Sequence, residues 1–269
     1  MSMDYTVDKV VSGSSEIGYL RFGEGKKTLV ILPGLSVQSV LPSAAAIEKQ
    51  YRVFRDGFTV YLFDRRSEPP EKYTVYDMAS DTAEAMRKIG LGGVCLFGAS
   101  QGGMIAQAIA LDYPELVFKA ALCSSACRIG PERASVIREW IRLAKKGKAT
   151  ELYLSFGEKI YPPGVFRQYR DAFPKMAESV SDSDLSRFIT LAGGTFGFDV
   201  KERLREIRRP VLAVGDRTDA VLGADATDEI AEAFGDAPGF ESFVYSGYGH
   251  AVYDTAPDFA ERLYEFFIK

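Results

Sequence analysis

The sequence has one histidine, one tryptophan and three cysteines, and its apolar runs are broken every few residues by glycine, proline or charge. Each scarcity excludes something. One histidine with Cys95, Cys123 and Cys127, none of them in a two-residue metal spacing, does not make a zinc site, so no metal is expected. An odd number of cysteines without pairing motifs does not make a disulfide framework. Each sits in an apolar segment and reads as a small core residue, and a reduced, cytoplasmic protein is the expectation. No segment approaches the ~18 uninterrupted apolar residues of a membrane span, so no membrane contact is expected. The first residues, Met1-Ser2-Met3-Asp4-Tyr5, show no basic stretch leading into an apolar one, and no secretory leader is expected. Basic surplus is also missing. The net charge is −4 and the pI about 5.3, a poor basis for nucleic-acid binding.

The 269 residues are 46% hydrophobic and 26% charged, enough for one sizeable globular core. Residues 4–11 and 15–22 read as short strands joined through Ser12-Gly13-Ser14. Apolar runs at 28–32, 58–63 and 94–97 have the pattern of strands buried on both faces, and 116–123, 211–214 and 240–245 read as further strands. Between them lie helical segments. One is capped by Thr74 with Asp77 three residues on, and places Val75, Met78, Ala79, Thr82, Met86 and Ile89 on one face. Another runs from Gln101 to about Asp112, and a closing helix is predicted from Pro257 to Phe267. Strands alternating with helices predict the α/β class, with a mostly parallel central sheet and helices on both faces. The alternation breaks over 128–200, which reads helical and aromatic. The expected organisation is a core domain of 1–127 and 201–269 with an inserted helical cap at 128–200. Of the cap aromatics Trp140, Tyr153, Phe156, Tyr161, Phe166, Tyr169 and Phe173, two or three are expected to line a pocket. The insertion is richer in Lys and Arg than in Asp and Glu. That could steer an acidic substrate, but a solvated helical face explains it more simply.

The sharpest motif is Gly98-Ala99-Ser100-Gln101-Gly102, between the strand at 94–97 and the helix from Gln101. A serine at a tight strand-to-helix turn is held in a strained conformation, and small flanking residues let strand and helix approach. Its hydroxyl lies at the positive end of the helix, where developing negative charge is stabilised. A hydroxyl is a weak nucleophile and needs a base. His250, in a glycine-rich loop after the strand at 240–245, is the one imidazole available. A carboxylate should orient it, and two aspartates compete on the loop after 211–214: Asp216 and Asp219. Asp219, farther from the strand end, is the preferred reading. The segment Gly23-Glu24-Gly25-Lys26-Lys27-Thr28 lacks the spacing of a phosphate loop, precedes a strand and reads as a solvated turn.

The chain order Ser100, Asp219, His250 resembles that of the α/β-hydrolase superfamily. Further stretches are similar to it: Gly249-His250 followed by Pro257 and Phe259, Pro210 to Gly215 as the acid-bearing strand, and Leu32-Pro33-Gly34 as the oxyanion turn. The resemblance implies a cofactor-independent serine hydrolase acting on an ester, thioester or amide of a small-molecule substrate. The backbone N–H groups of Leu35 and Gln101 would form the oxyanion hole. Carbon–carbon bond hydrolases, perhydrolases, acyltransferases and ligand-binding relatives with little turnover share the same constellation. A serine nucleophile is unlike the aspartate of the superfamily's dehalogenases and epoxide hydrolases. The chain departs from the usual pattern in three places. Pro33-Gly34 replaces His-Gly. Asp219 lies four residues after Gly215 rather than three, although Asp219-Ala220-Val221-Leu222-Gly223 keeps the downstream register. Asp64-Arg65-Arg66-Ser67 replaces an Asp-x-Arg-Gly-x-Gly loop, with Arg66 read as an ion-pairing loop anchor. The sequence says nothing of oligomeric state.

Overall fold

The computed structural model describes residues 5–12 and 15–269, without the side chain of Ser15. An antiparallel hairpin opens the chain, β1 (Tyr5–Ser12) and β2 (Ser15–Phe22). The turn residues Gly13 and Ser14 expected between them, and Asp4 at the start of the first predicted strand, lie outside the described residues. Then follow β3 (Lys27–Leu32), a short helix α1 (Ala44–Gln50), β4 (Phe58–Phe63), α2 (Val75–Lys88), β5 (Val94–Ala99), α3 (Gln101–Asp112) and β6 (Val117–Cys123). Five helices come next: α4 (Ala134–Lys145), α5 (Ala149–Ile160), α6 (Pro163–Tyr169), α7 (Ala172–Ala177) and α8 (Asp182–Gly193). The chain ends with β7 (Val211–Asp216), α9 (Ala226–Phe234), β8 (Phe240–Tyr245), α10 (Val252–Thr255) and α11 (Phe259–Ile268).

Among the described residues, eight strands form one sheet in the order β1-β2-β4-β3-β5-β6-β7-β8. From β4 to β8 all neighbours are parallel, while β1 pairs with β2, and β2 with β4, antiparallel. The continuous apolar runs follow from this arrangement, because alternate residues of each inner strand enter two different cores. Val30 and Leu32 of β3, Leu96 of β5 and Val211 and Ala213 of β7 pack with α2, α3 and α9. Leu29 and Ile31, Cys95 and Phe97, and Leu212 and Val214 point the other way, against Ala44 of α1 and the aromatic face of α11. The three cysteines are buried free thiols within these cores. Helix α2 carries the expected reciprocal cap: Thr74 Oγ1 accepts from Asp77 N at 3.2 Å, and Asp77 Oδ2 accepts from Thr74 N at 2.8 Å.

The α4–α8 stretch leaves and rejoins the sheet through a narrow neck. Arg128 and Asp199 form an isolated antiparallel bridge, with Ile129 N–H donating to the Phe198 carbonyl at 2.9 Å and Val200 N–H to that of Cys127 at 2.8 Å.

The closing helix differs from expectation. Pro257 does not open it. The chain first forms α10 directly after His250, turns through Ala256 and Pro257, and starts α11 at Phe259 with Asp258 as its N-cap. Proline bars the preceding residue from helical geometry, and Ala256 is accordingly extended (ψ 122°), so α10 ends before Pro257 and the predicted closing helix begins two residues later, at Phe259. Helix α1 was not anticipated from the sequence. Among the described residues, no helix is long and apolar enough to cross a membrane.

Candidate active site

Ser100 stands between β5 and α3 with φ 52° and ψ −118°, a left-handed backbone that costs a non-glycine residue energy. The surroundings hold it there. Ser100 N–H donates to the Cys123 carbonyl at 2.8 Å, and its own carbonyl accepts from Gly103 N at 2.9 Å and Ser125 Oγ at 2.9 Å. The flanking glycines are required by contact distance. A Cβ on Gly98 would lie 2.2 Å from the Gly102 carbonyl oxygen, and one on Gly102 would lie 2.0 Å from that of Leu32.

The ends of β5, β7 and β8 bring Ser100, Asp219 and His250 together, although 150 residues separate the serine from the histidine. Ser100 Oγ lies 2.9 Å from His250 Nε2, and His250 Nδ1 lies 2.8 Å from Asp219 Oδ2. With the ring proton on Nδ1, facing the carboxylate, Nε2 is the acceptor for the serine hydroxyl. Asp219 Oδ1 accepts from Val221 N at 2.8 Å and Leu222 N at 3.0 Å, which fixes the carboxylate plane. Burial pushes the Asp219 carboxyl up, but the adjacent His250 ring and these two N–H groups bring it below the usual carboxylate value. His250 and Asp219 are both buried.

Asp216 is placed differently. Its Oδ1 accepts from Thr218 N at 2.7 Å, Thr218 Oγ1 and Gly247 N, and its Oδ2 accepts from Tyr248 N at 2.9 Å. It ties the loop after β7 to the loop that carries His250. Burial raises its carboxyl, and these donors lower it further, to a net value below the ordinary one.

The turn Pro33-Gly34-Leu35 lies against the serine: a Cβ on Gly34 would be 3.3 Å from Ser100 Cβ. Among the described residues, neither Leu35 N–H nor Gln101 N–H donates to another protein group, so both remain available to a ligand. Gln101 is the first residue of α3, and its Nε2 reaches across to the Leu191 carbonyl of α8 at 2.7 Å. A chamber of about 30 Å³ sits over Ser100 and His250, walled by Leu35, Trp140, Phe156, Ile160 and Tyr253. It adjoins, through Leu35, Phe156 and Ile160, a groove of about 560 Å³ between residues 35–43 and helices α5 and α7. Five insertion aromatics line one or the other (Trp140, Tyr153, Phe156, Tyr161 and Phe173), more than the two or three expected. Cations of the insertion such as Arg142 and Lys148 pair with Glu139 and Glu151 on its solvated face.

One residue beside the site was not singled out from the sequence. Arg65 is buried, and its Nη2 donates to the Pro33 carbonyl of the turn facing Ser100. Burial pushes its pKa down to about 10, with Asp64 and Tyr73 opposing, so it remains a cation at neutral pH. Asp64 Oδ1 also meets Arg187 Nη2 of α8 at 3.2 Å. The signal was present as Asp64-Arg65, two charges directly after an apolar strand, but Arg66 drew the reading instead. Arg66 does anchor the loop: its Nε donates to the Glu68 carbonyl at 2.8 Å, and its Nη1 lies 3.7 Å from Asp81. Among the described residues, no three His, Cys, Asp or Glu side chains cluster as metal ligands.

Comparison with known proteins accords with this architecture. The profile of the alpha/beta hydrolase family matches residues 29–262, and the chain belongs to that family. It is 20% identical over 219 residues to 3-oxoadipate enol-lactonase 2 of Acinetobacter baylyi, covering 80% of each chain. It is 24% identical over 231 residues to the putative carbamate hydrolase RutD of Agrobacterium fabrum, covering 81% of this chain and 86% of the relative. Among solved structures it is similar to MGS-M2, an alpha/beta hydrolase enzyme from a Medee basin deep-sea metagenome library. The TM-score is 0.86 at 21% identity, over 97% of this chain and 98% of that one.

Proposed function

We propose that this protein is a cofactor-independent serine hydrolase that cleaves a carboxylic ester, or a related thioester or amide, through an acyl-enzyme on Ser100. The observation that carries the proposal is the continuous run of contacts from Ser100 Oγ through His250 to Asp219, 2.9 Å and 2.8 Å long. Membership of a hydrolase family supports it, as do relatives named for a lactone and a carbamate, both acyl–oxygen compounds.

In this mechanism Ser100 Oγ attacks the carbonyl carbon as His250 Nε2 takes its proton. Asp219 keeps the imidazole in the productive tautomer and stabilises the imidazolium. The negative charge that develops on the carbonyl oxygen is held by the Leu35 and Gln101 N–H groups at the positive end of α3. The imidazolium returns its proton to the leaving oxygen, releasing the alcohol. His250 then deprotonates a water that attacks the acyl carbon, and Ser100 leaves with the proton restored. The helices between β6 and β7 act as a cap that shields these steps from bulk water.

The test is turnover of simple esters by Ser100→Ala and His250→Ala proteins shown to be folded. By analogy with a well-studied protease triad, each loss approaches ~10⁶ in kcat, and the double variant loses no more than the worse single one. Near-wild-type activity in either single variant refutes the mechanism.

A further inference from the structure

The groove beside the triad chamber has a one-sided chemistry. Of the described residues lining it, none is Lys, Arg or His, and Asp184 is the one that is charged. Its apolar wall comes from residues such as Val37, Val40, Ile160, Phe173 and Met176. Its polar groups are largely spent on one another. Gln38 Oε1 accepts from Tyr153 OH at 3.1 Å, and Gln38 Nε2 donates to the Ser179 carbonyl at 3.2 Å and lies 3.4 Å from Asp184 Oδ2. The Tyr161 hydroxyl donates to Asp254 at 2.8 Å. Arg187, one turn along α8 from Asp184, does not line the groove, and its Nε and Nη2 are committed to Asp64 and to the Arg65 and Arg66 carbonyls. Asp184 itself caps α8, accepting from Ser181 N–H at 2.9 Å and from its hydroxyl at 2.7 Å. Burial pushes its carboxyl up, but these donors, Gln38 and the nearby Arg187 bring it below the ordinary value, so it is an anion at neutral pH.

The position of His250 orients the substrate. The leaving oxygen must face His250 Nε2, and His250 lines only the chamber of about 30 Å³, room for a group the size of a water or a methyl. The groove opens at Leu35, on the oxyanion side, with His250 and Tyr253 absent from its lining. We infer that the substrate is a neutral ester of a small alcohol whose apolar acyl arm occupies this groove, and that the groove rejects acyl arms bearing a carboxylate. The inference rests on the serine-hydrolase reading. It also separates this chain from a relative named for 3-oxoadipate, a dicarboxylate. An anion against the apolar wall of the groove would lose part of its hydration, meet no cation among the described lining residues and feel the repulsion of Asp184.

The experiment compares methyl octanoate with monomethyl suberate, equal in chain length and differing only in a terminal methyl or carboxylate, by pH-stat at low ionic strength. The expected kcat/KM is at least about tenfold lower for the acid ester, and Asp184→Asn, which keeps the helix cap, narrows the gap to within about threefold. Octyl acetate, which moves the long arm to the alcohol, is expected to react more slowly than methyl octanoate. Equal or better turnover of the suberate, or preference for octyl acetate, overturns the inference while leaving the hydrolase reading intact. No turnover of any ester, with no phosphonylation of Ser100, overturns both.

Discussion

Asp219 Oδ2 lies 2.8 Å from His250 Nδ1, while Asp216, three residues earlier at the end of β7, spends both oxygens on Thr218, Gly247 and Tyr248. One carboxylate faces the imidazole and the other ties together the loops that carry both. The two substitutions should therefore fail differently. Asp219→Asn should stay folded and lose up to ~10⁴ in kcat, because the wrong tautomer is favoured. Asp216→Asn should retain activity and lose about 1–3 kcal/mol of stability through weakened loop hydrogen bonds. Steady-state kinetics and thermal unfolding on both variants check this, and the reverse pattern would reassign the orienting role to Asp216.

The same Asp216 sets an acid limit on stability. Its native carboxyl is held below the ordinary value, whereas in the unfolded chain it titrates near ~3.9. As pH falls, the unfolded chain takes up the proton first. The contribution of Asp216 is thus fully present above about pH 5 and is lost as pH falls through the native value. Asp219 adds an effect of the same sign. Urea midpoints measured between pH 7 and pH 3 should show wild type falling towards Asp216→Asn, with the gap narrowing below about pH 4. A gap that stays constant to pH 3 would contradict the assignment.

Close approach of backbones at the serine turn predicts a sharp contrast between glycines. At Gly102 a Cβ would sit 2.0 Å from the Leu32 carbonyl oxygen, whereas at Gly92 nothing lies within 4 Å. Gly102→Ala should destabilise by more than about 3 kcal/mol or prevent folding, and Gly92→Ala should stay within about 0.5 kcal/mol of wild type. Denaturant midpoints, or soluble yield where Gly102→Ala does not fold, make the comparison.

Asp64 is buried, its Oδ1 lies 3.2 Å from Arg187 Nη2, and its charge also opposes the loss of the Arg65 proton. Replacing it with Asn removes the anion of the Arg187 pair and the carboxylate beside the buried Arg65, at a cost of about 3–5 kcal/mol. Chemical denaturation of Asp64→Asn measures it. A change under 1 kcal/mol would mean the pair of arginines is supported by other groups.

Much of this was legible in the sequence because the signals are local. Runs such as Thr28–Leu32 and Val94–Phe97 have the pattern of strands buried in a sheet, and Gly98 to Gly102 marks a turn that small residues alone allow. His250 followed from there being no other imidazole. What stayed hidden depends on contacts across long separations. Helix α1 is seven residues long and too short to show a period. Helix α10, four residues long, is likewise too short to show a period, and Pro257, read as a first-turn residue, instead separates it from α11. Arg65 acquires its meaning from the Pro33 carbonyl, 32 residues away, and the groove from Gln38 meeting Tyr153, 115 residues away. No spacing rule links such pairs.

The central claim is that Ser100 is a nucleophile activated by His250. Incubating the protein with a fluorophosphonate probe and measuring intact mass, followed by peptide mapping, tests it most directly. The account predicts one phosphonyl adduct per chain, located on Ser100, with labelling slowed by orders of magnitude in His250→Ala and absent in Ser100→Ala. Folded wild-type protein that takes up no adduct, or carries it on another residue, would contradict the account.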